Sequence, residues 1–161
     1  MNHYYCNLVL PLTAAVLFLL ATSVASAEPR YGPPRNQVFA KECGACHMAF
    51  PPQMLPQRSW VKIMAGLSDH FGEDASLDAG ATKKIQSYLT KNAADANWWG
   101  GKFMRGVTAA MTPLRITETP YWIRQHSGEI PARVWKDPRV KSKANCAACH
   151  RRAERGNYDD D

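Results

Sequence analysis

The chain has 161 residues, 20 basic against 14 acidic side chains, a formal charge of +6 and five cysteines. Less an export leader, this length makes one ordinary domain, and a basic balance in an exported chain points away from nucleic acid and toward acidic groups or an acidic protein partner. Four cysteines fall in two copies of one five-residue pattern and the fifth, Cys6, precedes the mature chain, so no disulfide framework is available.

The leader is residues 1–27. Leu8 to Ala21 is an apolar run of signal-peptide length, and Ala25-Ser26-Ala27 before Glu28 is the small-x-small pattern of a cleavage site. The segment before the run has no Lys or Arg, which leaves an uncleaved anchor open. Cys6 lies on the wrong side of the run for lipid attachment.

Residues 28–35, with Pro29, Pro33 and Pro34, predict an extended lead-in. Asn36 can cap a helix from Gln37 with Val38, Phe39, Cys43 and Cys46 at helical spacing, placing Cys43-Gly44-Ala45-Cys46-His47 at a helix end. Prolines 51, 52 and 56 forbid regular structure over 49–57. Ser59 is then the expected cap of a second helix with a Trp60, Ile63, Met64, Leu67 and Phe71 stripe, with His70 at its end. A third helix is expected from Ser76, with Leu77, Ala81, Ile85, Tyr88 and Leu89 on one face.

Residues 92–101 form a joint, whose Trp98-Trp99 is expected to pack against a prosthetic group or between lobes. Residues 102–119 suggest short extended pieces. Thr119-Pro120 opens a helix through Tyr121, Trp122, Ile123 and His126 that stops at Gly128. Pro131 begins a turn with Val134 and Trp135, halted by Asp137-Pro138, and Ser142 is expected to cap a final helix bearing Cys146-Ala147-Ala148-Cys149-His150 and running to about Arg155, with Gly156 as its stop.

CxxCH is the attachment signature of c-type haem: two thiols add across the vinyl groups and the adjoining histidine ligates iron from one face. Two copies, 103 positions apart, imply two covalent haems at Cys43/Cys46 and Cys146/Cys149. A shared four-cysteine zinc site or a dithiol redox pair would also use CxxC, but neither explains a histidine following the second cysteine twice.

The fold class is therefore mainly α, as two small haem-centred lobes, 28–95 and 96–161. Lobes of this size bury little apolar surface alone, so each haem would serve as most of a core and the apoprotein is expected to be largely unfolded. Helix with CxxCH, proline loop, helix, and last helix with a Tyr-Leu pair is an order resembling class I cytochromes c, from which the first lobe departs by offering His70. The second lobe, with its motif at the carboxyl end, is no copy of the first. It is also the basic one, with 12 basic and 7 acidic residues against 8 and 7 in the first. Arg105, Arg115, Arg124, Arg133 and Arg151 are candidates to pair with haem propionates, or to form a docking patch for an acidic redox partner.

After the leader only four histidines remain. His47 and His150 belong to the motifs, leaving His70 and His126, one spare in each lobe. Met54 and Met111 are the rival ligands; Met64 sits in an apolar stripe, and Met48 is poorly placed to reach the opposite face. A crossed arrangement, with His70 on the second iron, stays open. Two histidines per iron leave no vacancy for oxygen or peroxide and favour ferric iron, the signature of a low-potential one-electron carrier without catalytic residues. The alternative is a haem protein with one ligand-accessible iron, a peroxidase-like enzyme or a gas or redox sensor.

The runs Glu42-Cys43-Gly44-Ala45-Cys46-His47-Met48-Ala49-Phe50-Pro51-Pro52, Met64-Ala65-Gly66-Leu67, His70-Phe71-Gly72-Glu73-Asp74-Ala75, Arg115-Ile116-Thr117-Glu118-Thr119-Pro120 and Asn145-Cys146-Ala147-Ala148-Cys149-His150 resemble the small bacterial dihaem cytochrome c family known as DHC. The resemblance spans nearly the whole mature chain. It implies a periplasmic electron carrier with two bis-histidine haems, His47 paired with His70 and His150 with His126. It also implies a membrane-bound b-type cytochrome as donor and a small monohaem oxygen-binding cytochrome as acceptor, with no stable membrane insertion once the leader is removed.

Overall fold

A computed structural model describes residues 31–97, 101–128 and 130–158. The leader, Trp98-Trp99 and the acidic tail Asp159-Asp160-Asp161 lie outside the described residues. Within them the fold is helical and carries no strand: α1 (Gln37–Cys43), α2 (Gln57–Ala65), α3 (Ala79–Lys91), α4 (Pro120–His126) and α5 (Ala132–Trp135), joined by 3-10 turns and loops. No described helix is long and apolar enough to cross a membrane.

Two caps follow directly from local chemistry. Asn36 Oδ1 accepts from the Phe39 amide at 2.9 Å and starts α1. Thr119 Oγ1 accepts from the Trp122 amide at 3.3 Å, with Pro120 at the first position of α4. Each cap stabilises its helix by about 1 kcal/mol.

Elsewhere the local signals misplace the ends. Ser59 is not a cap: α2 begins at Gln57, whose amide donates to Asp95 Oδ1 at 2.7 Å, so the joint supplies the cap from 38 positions away. Ser59 lies inside α2, fully buried, with its hydroxyl unpartnered. Nor does Ser76 open α3. Its amide is held by Asp74 Oδ1 at 2.9 Å, which keeps 74–78 out of the helix, and Asp78 caps α3 through the Ala81 amide at 2.9 Å.

The expected last helix is replaced by 3-10 turns at Cys146–Ala148 and Ala153–Arg155. Asn145 Nδ2 reaches back to the Val140 carbonyl at 3.0 Å, and the Ala144 amide turns onto Ser142 Oγ at 3.2 Å. Both side chains compete with the helical backbone for its hydrogen bonds. The stretch 102–119 likewise forms 3-10 turns, Lys102–Met104 and Ile116–Glu118, in place of extended pieces.

α1 and α3 meet through Phe39 and Tyr88, whose ring centroids are 5.3 Å apart. The buried cluster then continues from Phe39, Leu55, Ile85 and Leu89 into Phe103, Ile116, Tyr121 and Trp122, so one core runs past residues 95 and 96. Burying a side chain of this size contributes about 1.5–3 kcal/mol, more than any single cap. Tyr31, from the lead-in, packs on Phe103 and Tyr158 at 6.3 and 6.2 Å. Arg58 closes the other side: Nε donates to the Met111 carbonyl at 2.7 Å and Nη2 to that of Thr108 at 2.8 Å, with Asp95 3.6 Å from Nη1.

Candidate haem centres

Cys43 is the last residue of α1, and the chain turns through Gly44 so that Cys46 and His47 emerge at the surface. The 3-10 turn Leu67–Asp69 continues α2 and ends at His70, which is tied back by its amide to the Glu73 carbonyl at 2.7 Å. These two segments bring the rings of His47 and His70 together, 6.2 Å between centroids and 25° between planes. At the other site His126 is the last residue of α4, and His150 follows the turn that carries Cys146. Their centroids are 6.3 Å apart with planes at 85°.

Those separations have a simple physical content. A metal–imidazole bond of about 2.0 Å plus about 1.1 Å from nitrogen to ring centre, taken on both sides of one ion, gives about 6.2 Å. The two histidine pairs, at 6.2 and 6.3 Å, match that span.

The ring nitrogens are also oriented. His47 Nδ1 lies 2.8 Å from the Met48 carbonyl, and His126 Nδ1 lies 2.8 Å from the Trp122 carbonyl. A carbonyl only accepts, so Nδ1 carries the hydrogen and Nε2 is left with the lone pair a metal needs. Burial, then the neighbouring His47 and Arg115, lower the pKa of His70, which favours the neutral form that can ligate a metal.

An aromatic ring backs each of the four. Phe50 stacks on His47 at 5.1 Å, Phe71 lies 4.8 Å from His70, Trp122 stacks on His126 at 4.1 Å, and Tyr158 meets His150 edge-on at 5.8 Å. Sequence reasoning passed over these partners. The Trp122/His126 pair was visible in principle, since positions four apart share a helix face.

The residues around the second pair fit a haem. A cavity of about 110 Å³ is lined by His126, His150, Cys146 and Cys149 together with Trp122, Trp135 and Phe103. Its wall is mostly apolar, and the candidate ligating groups converge on it. Lys102 and Lys143 are the cations on this wall; none of the five candidate arginines lines it. Met54, the rival ligand assigned to the first centre, is buried on this second wall instead. Met111 offers its carbonyl to Arg58.

The thiols separate haem attachment from the alternatives. Burial, with Glu42 adding, pushes the Cys43 thiol up to about 11, and burial pushes Cys146 up to about 11. A dithiol oxidoreductase needs the opposite, a lowered pKa on the leading cysteine. Among the described residues no three Cys, His, Asp or Glu side chains converge as a shared zinc ion would require.

Two CxxCH motifs, each with its histidine brought within 6.2 or 6.3 Å of a second histidine, are the features of a dihaem c-type cytochrome. Comparison with known proteins gives the same class. The family model for dihaem cytochrome c matches residues 39–158, and the chain belongs to that family. Its structure is similar to a dihaem cytochrome c from Rhodobacter sphaeroides, at 46% identity and a TM-score of 0.73 over 78% of this chain and 98% of that one. It is also similar to a dihaem cytochrome c from Shewanella baltica, at 38% identity and 0.64 over 78% and 89%. No curated protein sequence matches it. Membership brings two covalently bound haem c groups and electron transfer as the general role.

Proposed function

We propose that the protein is a periplasmic, low-potential, one-electron carrier in which His47 and His70 ligate one haem iron and His126 and His150 the other. The observation that carries this reading is the pair of ring separations, 6.2 and 6.3 Å, each equal to the span of two imidazoles on one ion. Each haem supplies a ferric/ferrous couple. The chain's own residues do the rest: the cysteines fix the ring plane, the carbonyls of Met48 and Trp122 set the tautomers, and the neighbouring aromatics pack against the imidazoles.

Imidazole on both faces favours the ferric state more than a thioether does, and it leaves no open position for substrate, which makes the protein a carrier and not an enzyme. The periplasm follows from the leader-like residues 1–27. A membrane-bound b-type cytochrome is the proposed donor and a small monohaem oxygen-binding cytochrome the proposed acceptor. The charge of +6 suits an acidic partner face.

Near-infrared and ordinary absorption of the ferric holoprotein tests the ligation. Low-spin haem without a methionine–iron band is expected, together with slow or absent carbon monoxide binding after reduction. A methionine band, or immediate uptake of carbon monoxide at either iron, overturns it.

A further inference from the structure

The residue after His70 is held in an unusual backbone conformation. Phe71 has φ +59, in the left-handed region that a bulky side chain enters only when its surroundings impose it, and Gly72 follows at φ +100. Short bonds hold the reversal: Phe71 amide to the Asp69 carbonyl at 3.0 Å, Gly72 amide to Asp69 Oδ1 at 3.0 Å, and a two-bond bridge between His70 and Glu73. The reversal turns the Phe71 ring outward, 46% exposed, where solvent alone would not keep it.

What keeps it is Arg115. The guanidinium carbon lies 3.8 Å from the Phe71 ring centroid, the closest cation–ring approach found among the described residues. Arg115 belongs to the second half of the chain, immediately before the turn Ile116–Glu118, which is anchored by buried Ile116 and Thr119. Its Nε lies 3.6 Å from Glu118 Oε1, so the side chain has a second neighbour on its own turn while the guanidinium carbon sits over the ring. The ion pair is half exposed on both sides and would contribute little by itself. The stack gives the arrangement its purpose, because Phe71 in turn touches the ring of His70.

We propose that Arg115 is a positioning residue for the first haem: by stacking on Phe71 it holds the strained turn 70–73 shut and keeps the His70 imidazole facing His47. The proposal rests on His70 being a ligand of the first iron. It makes closure of that iron depend on the other half of the chain. It also sets planarity, and not charge alone, as the requirement at position 115.

Holoprotein variants Arg115→Ala, Arg115→Lys and Phe71→Leu test it, read by the rate of carbon monoxide uptake at saturating gas after reduction, which is limited by release of the histidine. All three are expected to speed uptake at the first haem by on the order of fivefold to tenfold, with the second haem's ferric spectrum unchanged. Arg115→Ala combined with Phe71→Leu should add nothing further, because both remove one contact. Unchanged uptake in Phe71→Leu, or wild-type behaviour in Arg115→Lys, overturns the proposal, the latter by showing that charge suffices. Phe71→Leu leaves Arg115 in place and so decides the matter even if Arg115→Ala does not accumulate. Prompt uptake by the wild-type protein, or a methionine band in it, would instead overturn the ligation by His70.

Discussion

The imidazole planes of His126 and His150 stand nearly perpendicular, at 85°, whereas those of His47 and His70 are within 25° of parallel. The two centres therefore differ in symmetry despite the same proposed ligands. Parallel imidazoles act on one of the two iron orbitals that mix with ligand π-electrons and split them; perpendicular ones act on both equally. The ferric protein is expected to give two distinct low-spin paramagnetic resonance signals of equal weight, one rhombic and one nearly axial with a single large-g feature. Two identical signals would contradict the geometry.

His126→Ala removes the last residue of α4 and its contact with Trp122, and leaves the His47/His70 pair untouched. The large-g signal should vanish, replaced by a high-spin one, and the reduced protein should bind carbon monoxide at one haem of two. The rhombic signal should persist. A spectrum like that of the wild type would remove His126 from the coordination sphere.

Thr119 is fully buried, donates to the Ile116 carbonyl at 2.7 Å and caps α4. Thr119→Val keeps the volume and loses both hydrogen bonds, at an expected cost of about 1–2 kcal/mol. Denaturant titration of the holoprotein should show a lower midpoint with an unchanged slope. An unaltered midpoint would mean that the helix is held by packing alone.

Gly156 has φ +70, and a Cβ there would lie 2.6 Å from the Gly32 nitrogen. At this contact the Tyr31 amide donates to the Gly156 carbonyl at 2.9 Å. Gly156→Ala combines left-handed strain with a backbone collision and should cost about 2 kcal/mol or more, freeing the lead-in. Proteolysis near Tyr31 should accelerate in the folded protein; equal resistance would show that the strands of chain can part without loss.

Burial, with Tyr121 adding, holds the Tyr31 phenol well above its ordinary 10.0. A raised acid pKa in the folded state means that stability is complete below pH 10.0 and is lost as the pH climbs above it, because the unfolded chain releases the proton first. Alkaline unfolding is expected to coincide with the appearance of tyrosinate absorbance. Tyr31→Phe should move that unfolding to higher pH, and an unmoved transition would assign it to another group.

Much of the chemistry was readable along the chain because covalent attachment demands a contiguous motif. Cys43, Cys46, Cys146 and Cys149, the helix caps Asn36 and Thr119, and the stops at Gly128 and Gly156 all express requirements met within a few residues. Counting histidines also leaves four imidazoles for two irons, with Met54 and Met111 as their rivals. What adjacent residues could not reveal was anything assembled from distant ones. Asp95 caps α2 from the joint, Asn145 denies the second motif its helix, and Met54 of the first half walls the second cavity. The pairing of His47 with His70 and of His126 with His150, their different plane angles, and the approach of Arg115 to Phe71 depend on where separate helices pack. Local sequence sets which hydrogen bonds a residue can make with its neighbours, while the shared apolar core decides which distant groups come within reach.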